Sequence, residues 1–130
     1  MQHEEITQKV TGCAYRVYNQ MGFGFLESVY ETCMLIELEK AGLSVESQKP
    51  ITVRYDGEVV GEFFADLLVE DVVIVELKSV RRLAEKHEVQ LVNYLVATGI
   101  DVGLLLNFGE DKVEVKRKVR TLEGLGKEEN

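Results

Sequence analysis

Apolar residues recur at helical spacing in three stretches of the chain. Gaps of three and four positions place them on one face of an amphipathic helix that can pack against a core. The first stretch runs from about Glu4 to Asn19, and the second runs from about Leu26 to Lys40, with Gly42 following as a helix-ending residue. The third runs from Leu83 to Thr98 and ends at Gly99. The pattern therefore predicts three helices.

Between the second and third helices the apolar pattern becomes that of strands. Pro50 cannot donate to a ladder, so it suits the start of an edge strand at Ile51–Tyr55. Asp56-Gly57 is typical of a tight hairpin turn, and a second strand follows from Glu58 to Val69. The run Val72–Lys78 is continuous Val, Ile and Leu apart from its charged end. These segments predict a three-stranded antiparallel meander.

Two more strands are predicted after the third helix. Val102–Asn107 is wholly apolar until its last residue, which is typical of a buried strand. The segment Lys112–Val119 alternates, with valines on one side. Its other side carries four basic residues against one acidic residue, a net charge of +3: Lys112, Glu114, Lys116, Lys118 and Arg120.

The end of the third strand carries charge where a buried strand normally has none. Glu76 and Lys78 are two apart, so their side chains leave the same face. Asp66, in the preceding strand, joins them only if it lies opposite Glu76. A two-residue turn at Glu70-Asp71 would oppose Ala65 to Glu76 instead and send Asp66 to the wrong face. We therefore predict a three-residue connection or a bulge near Asp66.

A site built from Asp66, Glu76 and Lys78 suits metal-assisted hydrolysis of a phosphodiester. Two carboxylates select Mg²⁺ or Mn²⁺, and the ion keeps waters that can attack phosphorus. Lys78 would orient or deprotonate that water and offset charge on the phosphoryl oxygens. One alternative is a plain cross-strand salt bridge, which is a poor stabiliser when buried. A metal-free acid/base hydrolase is disfavoured because Lys78 should lower a carboxylate pKa.

Helical spacing brings further candidates to the same region. His87, Gln90 and Tyr94 share one stripe of the third helix, so Gln90 and Tyr94 could contact phosphate or steady Lys78. For His87 we favour a solvated residue without a role. Glu27 and Tyr30 share a face of the second helix. Glu27 also has a structural explanation, because the helix dipole favours an acid in the first turn, and spacing leaves its role open.

Composition limits the class of protein. A chain of 130 residues, 45% hydrophobic, fits one domain spanning 1–130 with a frayed tail after about residue 122. It has no apolar stretch long enough for a bilayer and no leader, so we expect a cytoplasmic protein without a membrane partner. Cys13 and Cys33 are expected to be reduced and to do no chemistry. Because the net charge is −8, any binding of nucleic acid must depend on a limited part of the surface rather than on the charge of the whole protein.

The motif Gly24-Phe25-Leu26-Glu27-Ser28-Val29-Tyr30 resembles the signature of the GxxExxY proteins, a group within the PD-(D/E)XK nuclease superfamily. Asp66 resembles the superfamily's metal-binding aspartate, Glu76-Leu77-Lys78 its (D/E)-x-K strand, and Gln90 through Tyr94 its QxxxY pattern. Ala65 stands where the superfamily's nickname has proline, a departure that many members share. The resemblance extends from about Thr7 to Phe108.

The resemblance implies a restriction-endonuclease-like α/β fold, with a central mixed sheet flanked by helices. It also implies that Glu27 joins Asp66 and Glu76 around the metal, while Lys78, Gln90 and Tyr94 serve catalysis. The expected function is a Mg²⁺- or Mn²⁺-dependent nuclease that acts on DNA, or on RNA as the less favoured substrate. Small stand-alone members are dimers, so we expect a homodimer. The alternative is an accessory or regulatory module that binds nucleic acid without cutting it.

Overall fold

The computed structural model describes residues 2–120. The expected fraying after residue 122 therefore concerns a segment outside the described residues. The eight elements follow the predicted order. They are α1 (Glu4–Met21), α2 (Glu27–Lys40), β1 (Val45–Tyr55), β2 (Glu58–Val69), β3 (Val73–Lys78), α3 (Glu85–Thr98), β4 (Val102–Phe108) and β5 (Val113–Val119).

The strands form one mixed sheet in the order β1-β2-β3-β4-β5. β1, β2 and β3 pair antiparallel, which confirms the predicted meander. α3 then carries the chain across the sheet so that β4 runs parallel to β3, and β5 returns antiparallel to β4. The result is the expected central mixed sheet, with β1 at one edge.

Helices cover both faces of the sheet. α1 and α2 pack on the face to which β3 contributes Val73, Val75 and Leu77. α3 packs on the other face, in a cluster that includes Ile74. Because strand side chains alternate, Glu76 and Lys78 follow Ile74 on the α3 side. The fold thus places the charged side chains at the end of β3 on the face of the sheet that α3 covers.

Several predicted boundaries were wrong. β1 begins at Val45, so Pro50 lies inside the strand, where an edge position tolerates the missing N–H. α3 begins at Glu85 rather than Leu83. Val89 and Val96, two apolar residues of α3, are each 49% exposed because they line the groove beside β1 and β2.

The basic side of β5 is not the open cationic surface that its alternation suggested. Lys118 is only 3% exposed and its Nζ lies 2.7 Å from Glu88 of α3. Arg120 pairs with Asp101 at 2.6 Å. α3 packs over this part of the strand, so Lys118 and Arg120 are engaged within the fold, whereas Lys112 is exposed and Lys116 is half-buried.

Two other expectations concern thiols and membranes. Cys13 and Cys33 are both free, Cys13 in the core and Cys33 partly buried. Within residues 2–120, none of the helices combines the length and apolarity needed to cross a bilayer.

Candidate functional site

The connection between β2 and β3 sets the register of the acidic residues. Val69 pairs with Val73, which leaves the three residues 70–72 as the connection. Two of them, Glu70 and Asp71, adopt left-handed backbone angles with φ of 53° and 60°. Leu67 pairs with Val75, so the next step along both strands brings Asp66 opposite Glu76. The predicted three-residue connection is confirmed.

Beyond Leu67 and Val75 the paired ladder of β2 and β3 ends, and the two carboxylates bridge the strands in its place. The Asp66 N–H donates to Glu76 Oε2 at 2.7 Å, and the Leu77 N–H donates to Asp66 Oδ2 at 2.8 Å. Each carboxylate is therefore held by the main chain of the opposite strand. Such reciprocal bonds position both side chains at one point on the sheet. We call Asp66 and Glu76 the acid pair.

β2 is irregular at the acid pair. Ala65 and Leu68 pack in the same cluster beneath α3, although strict alternation puts residues three apart on opposite faces. On β1, Gln48 has a φ of 53° and lies between the paired residues Ser47 and Lys49. Its Nε2 donates to Glu31 at 2.7 Å and lies 3.5 Å from Asp66 Oδ1. The irregular backbone thus directs the side-chain amide of Gln48 toward the carboxylates of Glu31 and Asp66.

Burial makes the charged forms of the acid pair unfavourable. Glu76 is only 5% exposed, and burial, followed by the neighbouring charge of Asp66, raises its pKa to about 8. Burial also raises the pKa of Asp66, although the Leu77 N–H and the charge of Lys78 act in the opposite direction. Two acids with raised pKa values side by side form a site at which a cation would relieve an electrostatic penalty.

Lys78 stands beside the acid pair without neutralising it. Its charge lowers the pKa values of both Asp66 and Glu76, so it is close enough to act on them. Within residues 2–120, however, Lys78 forms no salt bridge with either acid. The alternative of a plain cross-strand ion pair is therefore not what the structure contains.

α2 brings more negative charge to the site. Glu27 is exposed in the first turn, and its charge contributes to the raised pKa of Glu76. Glu31 lies one turn further and is half-buried. Burial raises its pKa, the hydrogen bond from Gln48 acts in the opposite direction, and the charges of Asp66 and Glu27 add smaller increases. Glu31 and Gln48 were not among the predicted residues. The spacing of four between Glu27 and Glu31 was an available signal for Glu31, whereas the backbone of Gln48 had none.

The motif residues around Glu27 shape the loop before α2. Gly24 has a φ of 114°, which a side chain would strain. Tyr30 is fully buried, its ring stacks on Phe108 at 4.2 Å, and its hydroxyl donates to the Gly22 carbonyl. Ser79, directly after Lys78, donates to the Phe25 carbonyl at 2.6 Å. The motif thus docks this loop at the end of β3.

The α3 candidates lie on the other side of the acid pair. Tyr94 is buried, and its pKa is raised by burial and then by the charges of Glu76 and Asp66. Gln90 is half-buried one turn earlier and lines the groove beside α3. His87, expected to be solvated, is half-buried, and its Nδ1 accepts the Ala84 N–H at 3.0 Å at the start of the helix.

The donor set fits a hard divalent cation in part. Among residues 2–120, no three potential ligands are gathered closely enough to form a complete coordination group. The predicted metal ligands Asp66, Glu76 and Glu27 are therefore not gathered into one coordination group, although the charge of Glu27 acts on Glu76. The acid pair nevertheless offers two carboxylates on neighbouring strands, the donors that Mg²⁺ and Mn²⁺ prefer, and such ions keep several waters.

The model of the PD-(D/E)XK nuclease superfamily matches residues 4–118, and the chain belongs to that superfamily. No curated protein matches the chain. A solved structure titled "Crystal structure of SSO0001" is similar, with a TM-score of 0.57 and 17% identity over 74% of this chain. The chain spans 50% of that protein's length, and this likeness shows the fold alone. The restriction-endonuclease-like fold is thus confirmed.

Proposed function

We propose that this protein is a Mg²⁺- or Mn²⁺-dependent nuclease that hydrolyses phosphodiester bonds in DNA, with RNA as the second substrate. Membership of the superfamily indicates a nuclease that acts on nucleic acid, and its members generally depend on divalent metals. The observation that carries the proposal is the acid pair, held across two strands and left without an ion pair to Lys78. The narrower GxxExxY assignment stays a prediction.

Asp66 and Glu76 would hold the ion, with Glu27 adding negative charge from α2. A bound Mg²⁺ or Mn²⁺ supplies an activated water and neutralises charge on the phosphate. Lys78 projects from the same face as Glu76, where its ammonium can orient or deprotonate the attacking water and stabilise the phosphoryl oxygens. Tyr94 lies within range of the charges of the acid pair, Gln90 lies one turn earlier on α3 and lines the same groove as Tyr94, and both side chains can donate hydrogen bonds to phosphate.

The test is metal-dependent cleavage by the full-length protein on single-stranded, duplex and branched DNA and on RNA. Lys78→Met should lower kcat by at least about a hundredfold, while Mn²⁺ binding persists. Lys9→Met is the matched control, because Lys9 makes only a surface pair with Glu5 on α1. It should leave kcat unchanged. An equal loss in both variants would contradict the role of Lys78.

The second candidate is a module that binds nucleic acid without cutting. Among residues 2–120, no complete group of three metal ligands is gathered, and this favours the alternative, since the proposed cleavage needs a bound metal ion. Under this alternative, no substrate is cleaved with Mg²⁺ or Mn²⁺, while Glu76→Ala leaves binding intact. That pair of results would replace the nuclease proposal.

We also propose a homodimer. β1 lies at an edge of the sheet, and the hairpin of β1 and β2 exposes Tyr55 and Val60. Exposed apolar side chains beside a strand at the sheet edge favour association of two copies. Sedimentation equilibrium of the wild type and of Val60→Lys measures the mass directly, and a wild type that is monomeric at every concentration would contradict the proposal.

A further inference from the structure

A large groove separates the hairpin of β1 and β2 from α3. It has a volume of about 1120 Å³ and is open to solvent along its length. Phe63 forms its wall on β2, while Val89 and Val96 form part of its wall on α3. These three side chains are 43%, 49% and 49% exposed, a high exposure for neighbouring large apolar residues. The groove is therefore an apolar surface without a partner in the described chain.

The groove adjoins the acid pair. Tyr94 and Gln90 of α3 line the groove. The Tyr94 ring packs against Phe63 with centroids 5.7 Å apart and planes tilted by 40°. Tyr94 packs in one buried cluster with Ala65, the neighbour of Asp66, and with Ile74, two residues before Glu76, so the same residue borders both the groove and the acids. The charges of Glu76 and Asp66 also act on its hydroxyl. A ligand that lies in the groove would reach the acid pair.

The charges at the groove differ from those of the whole chain. The protein carries −8, which disfavours binding driven by many phosphate contacts along a duplex. Arg54 and Lys86 line the groove, and within residues 2–120 neither forms a salt bridge. Glu85 is the acidic residue that lines it. The groove thus combines two cations with an aromatic wall.

We propose that this groove binds the bases of single-stranded nucleic acid and leads the strand to the acid pair, which specifies the substrate class of the proposed nuclease and rests on that function. Exposed bases stack on aromatic side chains, and this attraction needs no dense basic surface. In a duplex the bases are already stacked and paired, and their faces are unavailable to Phe63. Arg54 and Lys86 would contact the few phosphates at the rim.

The test compares Phe63→Ala with Phe64→Ala. The two residues are adjacent on β2 and comparably exposed, at 43% and 56%, but alternation sends Phe64 away from the groove. Binding is measured by fluorescence anisotropy in EDTA, using an oligothymidine of about 12 nucleotides and a blunt duplex of equal length. Without metal, binding is observed apart from cleavage.

We expect the wild type to bind the single strand more tightly than the duplex. Phe63→Ala should raise the Kd for the single strand roughly tenfold or more, and Phe63→Tyr should restore it because the ring is retained. Phe64→Ala should stay within about twofold. Equal single-strand binding by wild type and Phe63→Ala would overturn the proposal, and so would a preference for duplex.

Other occupants of the groove predict different results. If a second copy of the chain fills it, Phe63→Ala breaks a dimer in sedimentation and leaves single-strand affinity unchanged, which overturns the proposal. Failure of the nuclease function is separable. If the wild type binds single strands through Phe63 but never cleaves them, the groove proposal stands and the nuclease proposal is refuted. If the wild type cleaves with metal but its binding does not depend on Phe63, the nuclease proposal stands and the groove proposal is refuted.

Discussion

Replacing Glu76 with glutamine should stabilise the metal-free protein at alkaline pH. Burial, followed by the charge of Asp66, raises the pKa of Glu76 from 4.5 to about 8. Below pH 4.5 the residue is protonated in the folded and unfolded states alike. Between these pKa values the folded protein retains a proton that the unfolded chain releases, so the free energy of unfolding falls as pH rises. Above pH 8 the loss is complete.

The size of the effect follows from the two pKa values. A rise from 4.5 to about 8 corresponds to a loss on the order of 5 kcal/mol between about pH 4 and pH 9. Small domains have a total stability of roughly 5–15 kcal/mol, so the loss is a large share. Glutamine keeps an oxygen that can accept the Asp66 N–H and never ionises. Its advantage over glutamate should therefore grow with pH.

Urea denaturation of wild type and Glu76→Gln across this pH range, in EDTA, measures the difference. We expect near-equal stability at about pH 4 and a more stable variant at about pH 9, by several kcal/mol. Mg²⁺ or Mn²⁺ should then stabilise the wild type and have little effect on the variant. Glu62→Gln, an exposed carboxylate on β2, is the control and should follow the wild type. A gap between wild type and Glu76→Gln that does not change with pH would refute the reasoning.

Two further predictions concern the structure around the site. Tyr30→Phe loses the hydrogen bond to the Gly22 carbonyl and should lower the free energy of unfolding by about 1–2 kcal/mol in urea, while Tyr15→Phe, an exposed tyrosine on α1, should not. Gly103→Ala places a Cβ 2.8 Å from Leu91 of α3 and should lower the free energy of unfolding by about 1–3 kcal/mol, measured by calorimetry. Gly12→Ala, whose Cβ meets only Arg16 at 3.8 Å, should stabilise α1 by up to about 1 kcal/mol. The opposite order would contradict the close approach of β4 to Leu91.

The elements and the register were predictable because each depends on local periodicity. Helical spacing and strand alternation gave all eight elements, with boundary errors of a few residues. The register between β2 and β3 was predicted from the requirement that Asp66 and Glu76 share a face, which a two-residue turn cannot meet without a bulge. The charged residues in the strands, together with that requirement, thus indicated the acid pair.

Other features of the site depend on contacts between distant segments. The left-handed backbone of Gln48 aims its amide at Glu31 and Asp66, and Gln48 itself carries no turn signal. The β5 alternation suggested a basic surface, but the packing of α3 buries Lys118 against Glu88. The groove beside Phe63 is lined by residues of β1, β2 and α3, which are far apart in the sequence. Periodicity along one segment contains none of this information.

The positions of the charges indicate that the acid pair does not stabilise the fold. Both carboxylates are drawn together where the ladder between β2 and β3 ends, and burial raises the pKa of each. A structural ion pair would bring Lys78 into contact with one of them, yet within residues 2–120 it forms no such bridge. An apolar pair at these positions would avoid the electrostatic penalty altogether. The penalty is understandable if a cation binds here during function, because the cation supplies the charge that the fold leaves uncompensated.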